Sequence, residues 1–569
     1  MLRRSPVNRW DLLALPIVAL ALLLLIWAAA QMGAPFSVAR GIAISLDPIK
    51  LPEYALKTTL RMFLALAASF LFTLVYATAA AKSRHLERLL IPLLDILQSV
   101  PVLGYLSFTV TGFLALFPGR LLGAELAAIF AVFTSEAWNM TFSLFQSLRT
   151  LPRDLEAAAQ VFRLSAWQKF CRLELPFAIP GLLWNAMMSM SGAWFFVVAS
   201  EAITVGEAQV TLPGVGSYVA LAIQRKNLAA IGYAIVTMLV VILLYDQLLF
   251  RPLVAWADRF RFEQAAAQIR ARSWFLDVLR RTRLLRAVPK PLGPVLRWSY
   301  SLHPSLPFGP KGEATSTGDR WTKLGDSIWG VFLIILALSA ATIAFRFISR
   351  HAGWSDVGLA ALLGLATLAR VLALIFLATV IWLPLGILIG LKPKLTAPIQ
   401  PLAQFLAAFP ANLLFPIAVP VILKYRLNSD VWLSPLMILG TQWYILFNVI
   451  AGASVFPTDL KDAASTLSVR GALWWRKVIV PGVFPYFVTG AITASGGAWN
   501  ASIVAEIVSW GDTTVTAHGL GAYIAEWTAK GDLSRVALGV AVMSLYIVLI
   551  NRLFWRRLYA LAERRVRLD

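Results

Sequence analysis

Charged side chains inside the apolar stretches of the chain recur at fixed spacing. Glu201 and Glu506 are separated by 305 residues, and Arg61 and Arg370 by 309. An ionised group is costly in a nonpolar medium unless it is paired or serves a transport route. Because two carboxylates would repel an anion at low dielectric, we expect the glutamates to have a structural or gating role, paired with the arginines near the outer ends of two spans.

Two tryptophans beside small residues are candidates for lining a passage. Trp194 and Trp499 each end a Gly-Ala-Trp triplet and are 305 residues apart. Their following neighbours differ, since Phe195 comes after the first and Asn500 after the second. We therefore expect the two indoles to face each other across a central passage whose lining is chemically uneven.

Enzyme chemistry finds no support in the sequence. No GxxxxGK[S/T] loop is present, so the chain lacks that means of holding ATP phosphates. Cys171 is the only cysteine, which excludes an internal disulfide, and the four histidines lack metal-ligand spacing. The sequence therefore predicts a protein without a catalytic, metal or cofactor site of its own.

Composition predicts an all-α polytopic membrane protein. Hydrophobic residues make up 59% of the 569 residues, charged residues 14%, and the mean hydropathy is +0.73. Twelve apolar runs have spanning length. They lie near 12–32, 59–81, 89–116, 123–147, 178–203, 230–250, 328–348, 365–391, 395–423, 431–453, 483–508 and 534–555.

The net charge of +22 has a topological explanation. Basic residues concentrate in segments between the apolar runs, such as 82–88, rather than on one continuous face. This pattern follows the positive-inside rule and places both termini in the cytoplasm. We therefore expect a membrane partner and no nucleic acid partner.

The chain contains one membrane unit twice. The segment 151–176 recurs as 456–481 without a gap, in each half between the fourth and fifth apolar runs. We expect units at 1–258 and 327–569, joined by a basic, proline-rich cytoplasmic connector at 259–326. Six spans in each unit make the repeats parallel, related by a pseudo-two-fold axis along the membrane normal.

The repeated segments resemble the EAA loop of ABC importer permeases. The second copy reads Asp462-Ala463-Ala464, with Pro481 nineteen residues after the aspartate. In the first copy the equivalent Glu156 comes one residue early, and Arg163 and Ser468 occupy the usual glycine position.

The resemblance implies two tandem six-helix type I permease units that couple to separate ATPases. It implies two ABC ATPase subunits, which use ATP and Mg, and an external solute-binding protein at a bacterial inner membrane. The residues implied in ATPase coupling are Asp154, Glu156, Ala157, Ala158, Arg163, Asp459, Asp462, Ala463, Ala464 and Ser468.

The cargo is less defined than the class. The stretch 499–506, followed by GLGAYIA at 519–525, is similar to the nitrate/taurine/sulfonate branch, which implies a small anion. A fused permease for ferric iron or thiamine is an alternative, since those systems also use double permeases. A gradient-driven secondary transporter is a further alternative, but it would have no need of ATPase docking loops.

Overall fold

The computed structural model describes residues 43–205, 208–260, 273–282, 319–454 and 456–566, with a few isolated positions elsewhere. Eight of the described helices are long and apolar enough to cross a membrane. Three further pairs of helices qualify if each pair, bent at a short break, counts as one span. The predicted all-α polytopic membrane fold is confirmed, and two short hairpins add to it.

Spans 2 to 6 of unit 1 are described. Span 2 is Leu51–Lys82, span 3 is the bent pair Arg84–Ser99 and Val102–Leu116, span 4 is Leu121–Arg149, span 5 is Ala166–Ser200 and span 6 is Leu228–Ala257. Loop helix 1 (Arg153–Val161) lies between spans 4 and 5. Between spans 5 and 6 lie strands β1 (Ala202–Val205) and β2 (Ala208–Thr211) and hairpin helix 1 (Val215–Gln224).

Unit 2 repeats this order. Span 1 is Asp319–Ile348, span 2 is Trp354–Gly390, span 3 is Pro393–Ala408 with Phe415–Tyr425, span 4 is Ser429–Leu439 with Gln442–Ser454, span 5 is Gly471–Ala505, and span 6 begins with Leu533–Ile550 and continues to Val566. Loop helix 2 is Thr458–Thr466. Strands β3 (Ile507–Trp510) and β4 (Thr513–Thr516) precede hairpin helix 2 (Leu520–Ala529).

The predicted spans from 59–81 onward each coincide with a helix or a bent pair. Most of the run at 12–32 and most of the connector at 259–326 fall outside the described residues. Within the connector a short helix, Trp274–Arg281, is described. We call the side that carries the loop helices the loop side, and the side that carries the β-strands the hairpin side.

Three spans predicted as single runs are bent, which corrects the sequence expectation. Span 3 turns by 100° in unit 1 and by 66° in unit 2. Pro101 and Pro410 stand at these breaks, and the preceding Val100 and Phe409 have extended backbones. A proline disfavours helical geometry at the residue before it, so each helix ends there. Span 4 of unit 2 bends by 43° near Gly440, whereas span 4 of unit 1 is continuous.

Each span 5 ends at a buried glutamate and is followed by an antiparallel hairpin, β1 with β2 and β3 with β4. The predicted runs 178–203 and 483–508 therefore extended too far, since strands begin at Ala202 and Ile507. The β3–β4 turn places Gly511 at φ 61°, a conformation that two-residue hairpin turns favour in glycine. These hairpins are absent from the sequence prediction.

The two units interlock through their broken third spans. Helix Val102–Leu116 packs against spans 5 and 6 of unit 2, and helix Pro393–Ala408 packs against span 5 of unit 1. The Val102 N–H donates to Asn500 Oδ1 at 2.8 Å, and Asn412 Nδ2 donates to the Phe195 carbonyl at 3.2 Å. Phe195 and Asn500 occupy equivalent positions of the two fifth spans. Each unit is therefore hydrogen-bonded by the other at the same position of its span 5, as a two-fold relation requires.

Gly104 offers a test of this interlocking. A Cβ at Gly104 would lie 2.7 Å from Val540 Cγ2 of span 6 in unit 2, whereas a Cβ at Gly112 on the same helix meets nothing within 4 Å. We expect Gly104→Leu to destabilise the fold by about 1–3 kcal/mol through overpacking. Thermal unfolding of the purified chain in detergent measures this, with Gly112→Leu as the matched control. Equal melting temperatures for the two variants would contradict the contact.

Candidate functional site

A buried ion cluster ties the hairpin side of unit 1 together. Arg61 donates from Nε to Glu125 Oε2 at 2.6 Å, from Nη1 to Glu201 Oε1 at 2.6 Å and from Nη2 to the Pro213 carbonyl at 3.1 Å. The Thr58 hydroxyl also donates to Glu201 Oε1 at 2.6 Å. Arg61, Glu125 and Glu201 are almost completely shielded, so each of these charges is paired with a group of the protein rather than with water.

The same cluster recurs in unit 2. Arg370 donates to Glu506 Oε1 at 3.0 Å and to Asp430 Oδ1 at 2.8 Å. Thr367, the counterpart of Thr58, donates to Glu506 Oε1 at 2.8 Å. The structure therefore brings each predicted glutamate and arginine together.

The third charged member of each cluster escaped the sequence analysis. Glu125 and Asp430 are separated by the same 305 residues as the two glutamates at the ends of the fifth spans. An acidic residue repeated at this offset was the available signal. Asp430 was hidden because it lies in the first turn of its helix, where an acidic side chain is ordinary.

These carboxylates anchor the hairpin helices. Glu201 Oε2 accepts from the Gly216 N–H at 2.7 Å, and Glu506 Oε2 accepts from the Gly521 N–H at 2.8 Å. Both amides belong to the first turn of a hairpin helix, where free N–H groups and the helix dipole favour an anion. Each glutamate carboxylate already accepts several hydrogen bonds from the protein. Few of its acceptor sites therefore remain for a solute.

The unit 2 cluster is more open than its counterpart. The His518 backbone N–H donates to Asp430 Oδ1 at 2.7 Å, and the His518 ring Nδ1 lies 3.0 Å from Asp430 Oδ2. The His518 side chain is 84% exposed and that of Asp430 is 34% exposed. In unit 1, Pro213 occupies the position of His518, and its carbonyl accepts a hydrogen bond from Arg61 inside the buried cluster.

A cavity of about 530 Å³ lies between the two units. None of the described residues that line it carries a charge. Phe195, Trp499 and Asn500 belong to its lining, and Trp194 does not. The Asn500 carbonyl oxygen, however, is engaged by the Val102 N–H, so Asn500 also has a structural contact between the units.

The position of Trp194 contradicts the expectation that the two tryptophans face each other across the passage. Its side chain is 1% exposed and makes an edge contact with Tyr245 of its own unit, with ring centroids 5.7 Å apart. Successive helical residues point about 100° apart, so Phe195 faces the cavity while Trp194 faces away. Trp499 stacks on Tyr546 of unit 2, with ring centroids 6.3 Å apart. Each indole therefore packs inside its own unit.

Neutral polar residues of the cavity were missed by the sequence analysis. Asn139 and Tyr444 occupy equivalent positions of the fourth spans, and both line the cavity. The Tyr444 hydroxyl lies close to Gly192 of unit 1, since a Cβ added at Gly192 would be 3.1 Å from it. This hydroxyl has no hydrogen-bond partner among the described residues. Uncharged side chains in apolar helices are weak signals, because most such residues bond to their own backbone.

The predicted coupling residues lie on and just after the loop helices. Most are exposed or half-exposed, whereas Ala464 is buried. Arg163 and Ser468 have φ values of 48° and 54°. This left-handed conformation is the one that favours glycine, which explains why the resemblance expected glycine at both positions.

An exposed apolar side chain ends each loop helix. Phe162 and Leu467 occupy equivalent positions, and both are 76% exposed. Solvated hydrophobic side chains of this size, repeated in both units on a polar segment, are typical of a contact surface.

Loop helix 1 is held by ion pairs that loop helix 2 lacks. Lys169 Nζ lies 2.6 Å from Glu156 Oε1 and 3.7 Å from Glu174 Oε1, and Glu174 also binds Lys82 of span 2. The hydrogen bond from Lys169 lowers the pKa of Glu156 below its ordinary value. The equivalent positions in unit 2 are Lys461, Trp474, Ile479 and Leu391, so this network belongs to unit 1 alone.

Two stretches of the chain, residues 69–253 and 382–568, match the family model described as binding-protein-dependent transport system inner membrane component. Together they cover more than half of the chain. The chain belongs to this family. Each matching stretch contains one loop helix, one hairpin and one hairpin helix, so the permease contains two tandem family units.

The permease is similar to transporters of small anions. The bicarbonate transport system permease of Synechococcus elongatus is 30% identical over 188 residues, which is 33% of this chain and 64% of that relative. The nitrate import permease of Leptolyngbya laminosa is 28% identical over 189 residues, again 33% of this chain and 64% of the relative. A probable ABC transporter permease of Brucella melitensis is 28% identical over 204 residues, 35% of this chain and 76% of the relative.

The buried cluster predicts unequal effects of two equivalent substitutions in this permease. Arg61→Met would leave two carboxylates buried without their partner, which costs about 3–5 kcal/mol. Arg370→Met should cost less, because Arg370 is 13% and Asp430 34% exposed and water can solvate the freed charges. Thermal unfolding in detergent compares the variants. A larger loss for Arg370→Met would contradict the assigned roles of the two clusters.

Proposed function

We propose that the chain supplies two transmembrane halves of an ATP-driven importer for a small anion. The two units form the passage between them, and one ATPase subunit binds beneath each loop helix. ATP and Mg belong to those subunits, and this chain holds no cofactor. The observation that carries the proposal is the pair of loop helices, which present equivalent exposed surfaces on the same side of one interlocked molecule.

The surface of the loop helices supports docking of a protein partner. Ala158 and Ala463 occupy equivalent positions, the first half-buried and the second exposed, and small side chains allow a groove to approach the helix backbone closely. The exposed Phe162 and Leu467 at the helix ends are apolar anchors of the kind that such grooves accept. Since each loop helix has both the small residue and the apolar anchor, each can bind one copy of the same ATPase.

Charge on the loop side supports its assignment to the cytoplasm of a bacterial cell. The basic segment 82–88 joins spans 2 and 3 on this side, and Arg149 Nη2 beside loop helix 1 lies 3.3 Å from Glu87 Oε1. Basic loops remain on the cytoplasmic side of inner membranes. The hairpin side then faces outward, where a solute-binding protein delivers its cargo, and both termini lie inside.

The uncharged cavity supports an anionic cargo. Residues with N–H or O–H groups, including Asn139, Asn448 and Tyr444, line it without a neighbouring carboxylate that would repel an anion. A ferric-iron permease would be expected to offer carboxylate ligands, and the described lining has none. The bicarbonate and nitrate relatives support the same choice over a thiamine permease.

The coupling assignment predicts that bulk and charge on the loop helices uncouple transport. We expect Ala463→Arg, and likewise Ala158→Arg, to reduce ATPase association and uptake at least ten-fold while membrane insertion stays intact. Ala463→Ser and Ala158→Ser are the matched controls, since they keep the same positions small and uncharged.

The measurement uses proteoliposomes that contain the permease, the ATPase encoded beside it and the solute-binding protein. Radiolabelled nitrate and bicarbonate report anion uptake, with ferric iron and thiamine as alternative cargoes. Uptake by Ala463→Arg at the level of the control would overturn the coupling role, and uptake of iron or thiamine alone would overturn the anion.

A further inference from the structure

A second concavity lies on unit 2, and none of its lining residues lines the central cavity. Its volume is about 270 Å³, and the described residues that line it are aliphatic residues and one tryptophan. It lies between helix Phe415–Tyr425, the second helix of span 3, and the segment 427–432, which leads into span 4. We call this concavity the side groove.

The lining of the side groove is exposed at the surface of the protein. Ile417 and Val421 are four residues apart and therefore lie on one face of their helix. They are exposed, and so is Trp432 on the other side of the groove. An apolar face that borders hydrocarbon needs no special partner, but a concave one contacts a single chain from several sides and can hold it in place.

The dimensions of the side groove match one lipid tail. Helix Phe415–Tyr425 has 11 residues, which correspond to about 16 Å at 1.5 Å per residue. One leaflet contributes about half of the roughly 30 Å hydrocarbon core of a bilayer. The volume of about 270 Å³ is below the roughly 300–1,000 Å³ of sites for drug-sized ligands, so the groove suits a single acyl chain.

Two cationic side chains lie at the hairpin-side end of the groove. Lys424 is three residues beyond Val421 on the same side of the helix, and Arg426 follows the last helical residue. Both are exposed. Lys424 Nζ lies 5.4 Å from the Tyr425 ring centroid, and neither cation pairs with a carboxylate among the described residues. Cations beside an apolar surface at the membrane boundary complement an anionic lipid head group.

The equivalent helix of unit 1 lacks these cations. Helix Val102–Leu116 is followed by Phe117, which corresponds to Arg426 at the 309-residue offset, and Ala115 corresponds to Lys424. Ending this helix therefore does not require basic residues. The combination of an apolar groove with two cations at its end belongs to unit 2.

The segment 427–432 connects the side groove to the buried cluster of unit 2. Asp430 in this segment accepts a hydrogen bond from Arg370 at 2.8 Å. Ser429 Oγ donates to the Thr516 carbonyl of β4, also at 2.8 Å. Because a ligand that binds only the folded state stabilises it, a lipid held against this segment would stabilise the hairpin side of unit 2.

We propose that the side groove binds an anionic phospholipid of the surrounding bilayer. One acyl chain lies between Val421 and Trp432, and the phosphate lies beside Lys424 and Arg426. This lipid site is separate from the central cavity and does not depend on which solute the permease carries.

Native mass spectrometry of the delipidated full chain in detergent tests the proposal. The probes are phosphatidylglycerol, phosphatidylcholine with the same acyl chains, and glycerol phosphate, which has the phosphate without the chains. We expect phosphatidylglycerol to be retained at a concentration at least ten-fold lower than phosphatidylcholine, and glycerol phosphate not to be retained. Equal retention of the two lipids would overturn the role of the cations, and retention of glycerol phosphate would assign a site for free phosphate instead.

Substitutions separate the charge from the groove. The double variant Lys424→Gln with Arg426→Gln should bind phosphatidylglycerol at least ten-fold more weakly and leave phosphatidylcholine unchanged. Val421→Trp fills the groove at an exposed position and should weaken both lipids. Lys392→Gln with Lys394→Gln is the matched control, since it removes two charges at exposed positions on the loop side. Equal loss of phosphatidylglycerol in the two double variants would show that binding depends on net charge alone, which contradicts the site.

Thermal unfolding and photocrosslinking check the location of the lipid. Phosphatidylglycerol should raise the melting temperature of the unmodified chain and of the control, but not that of Lys424→Gln with Arg426→Gln. A benzophenone amino acid in place of Val421, activated in nanodiscs that contain phosphatidylglycerol, should capture that lipid. The same rise in melting temperature in all three proteins, or capture of another segment of the chain, such as the run at 12–32, instead of lipid, would overturn the proposal.

Discussion

The pairing of a buried arginine with two acidic side chains organises the hairpin side of both units. In unit 1, Arg61 joins span 2 to Glu125 of span 4 and to Glu201 at the end of span 5. A guanidinium shielded from water needs such partners, since an unpaired charge there costs several kcal/mol. Because Glu201 also accepts from hairpin helix 1, the cluster fixes the hairpin and the short helix on top of the spans.

The interlocking of the units follows from breaks in their third spans. Proline ends the first helix of each pair, and beside each break the chain contacts the other unit, where Val102 and Asn412 make their hydrogen bonds. The cavity lies between the surfaces thus joined, so it belongs to neither unit alone. Differences between the repeats therefore become differences between two walls of one cavity, as at Met188 and Thr493.

The spans, the duplication and the pairing of Arg61 with Glu201 could be predicted from the sequence, because the length of an apolar run and a constant offset between repeats can both be read from the order of residues. It did not reveal the bends, which depend on how a proline break is packed. The hairpins were also missed, since four-residue strands carry little periodic signal. The orientation of Trp194 depends on helix rotation, which an apolar run surrounded by apolar neighbours leaves undetermined.

In the proposed function one chain supplies both transmembrane halves of an importer. Native mass spectrometry of the detergent-solubilised complex, purified through a tag on the 62.5 kDa chain, measures its stoichiometry directly. The proposed function predicts one copy of this chain with two ATPase subunits, one for each loop helix. A complex with two copies of this chain, or with one ATPase subunit per chain, would contradict it.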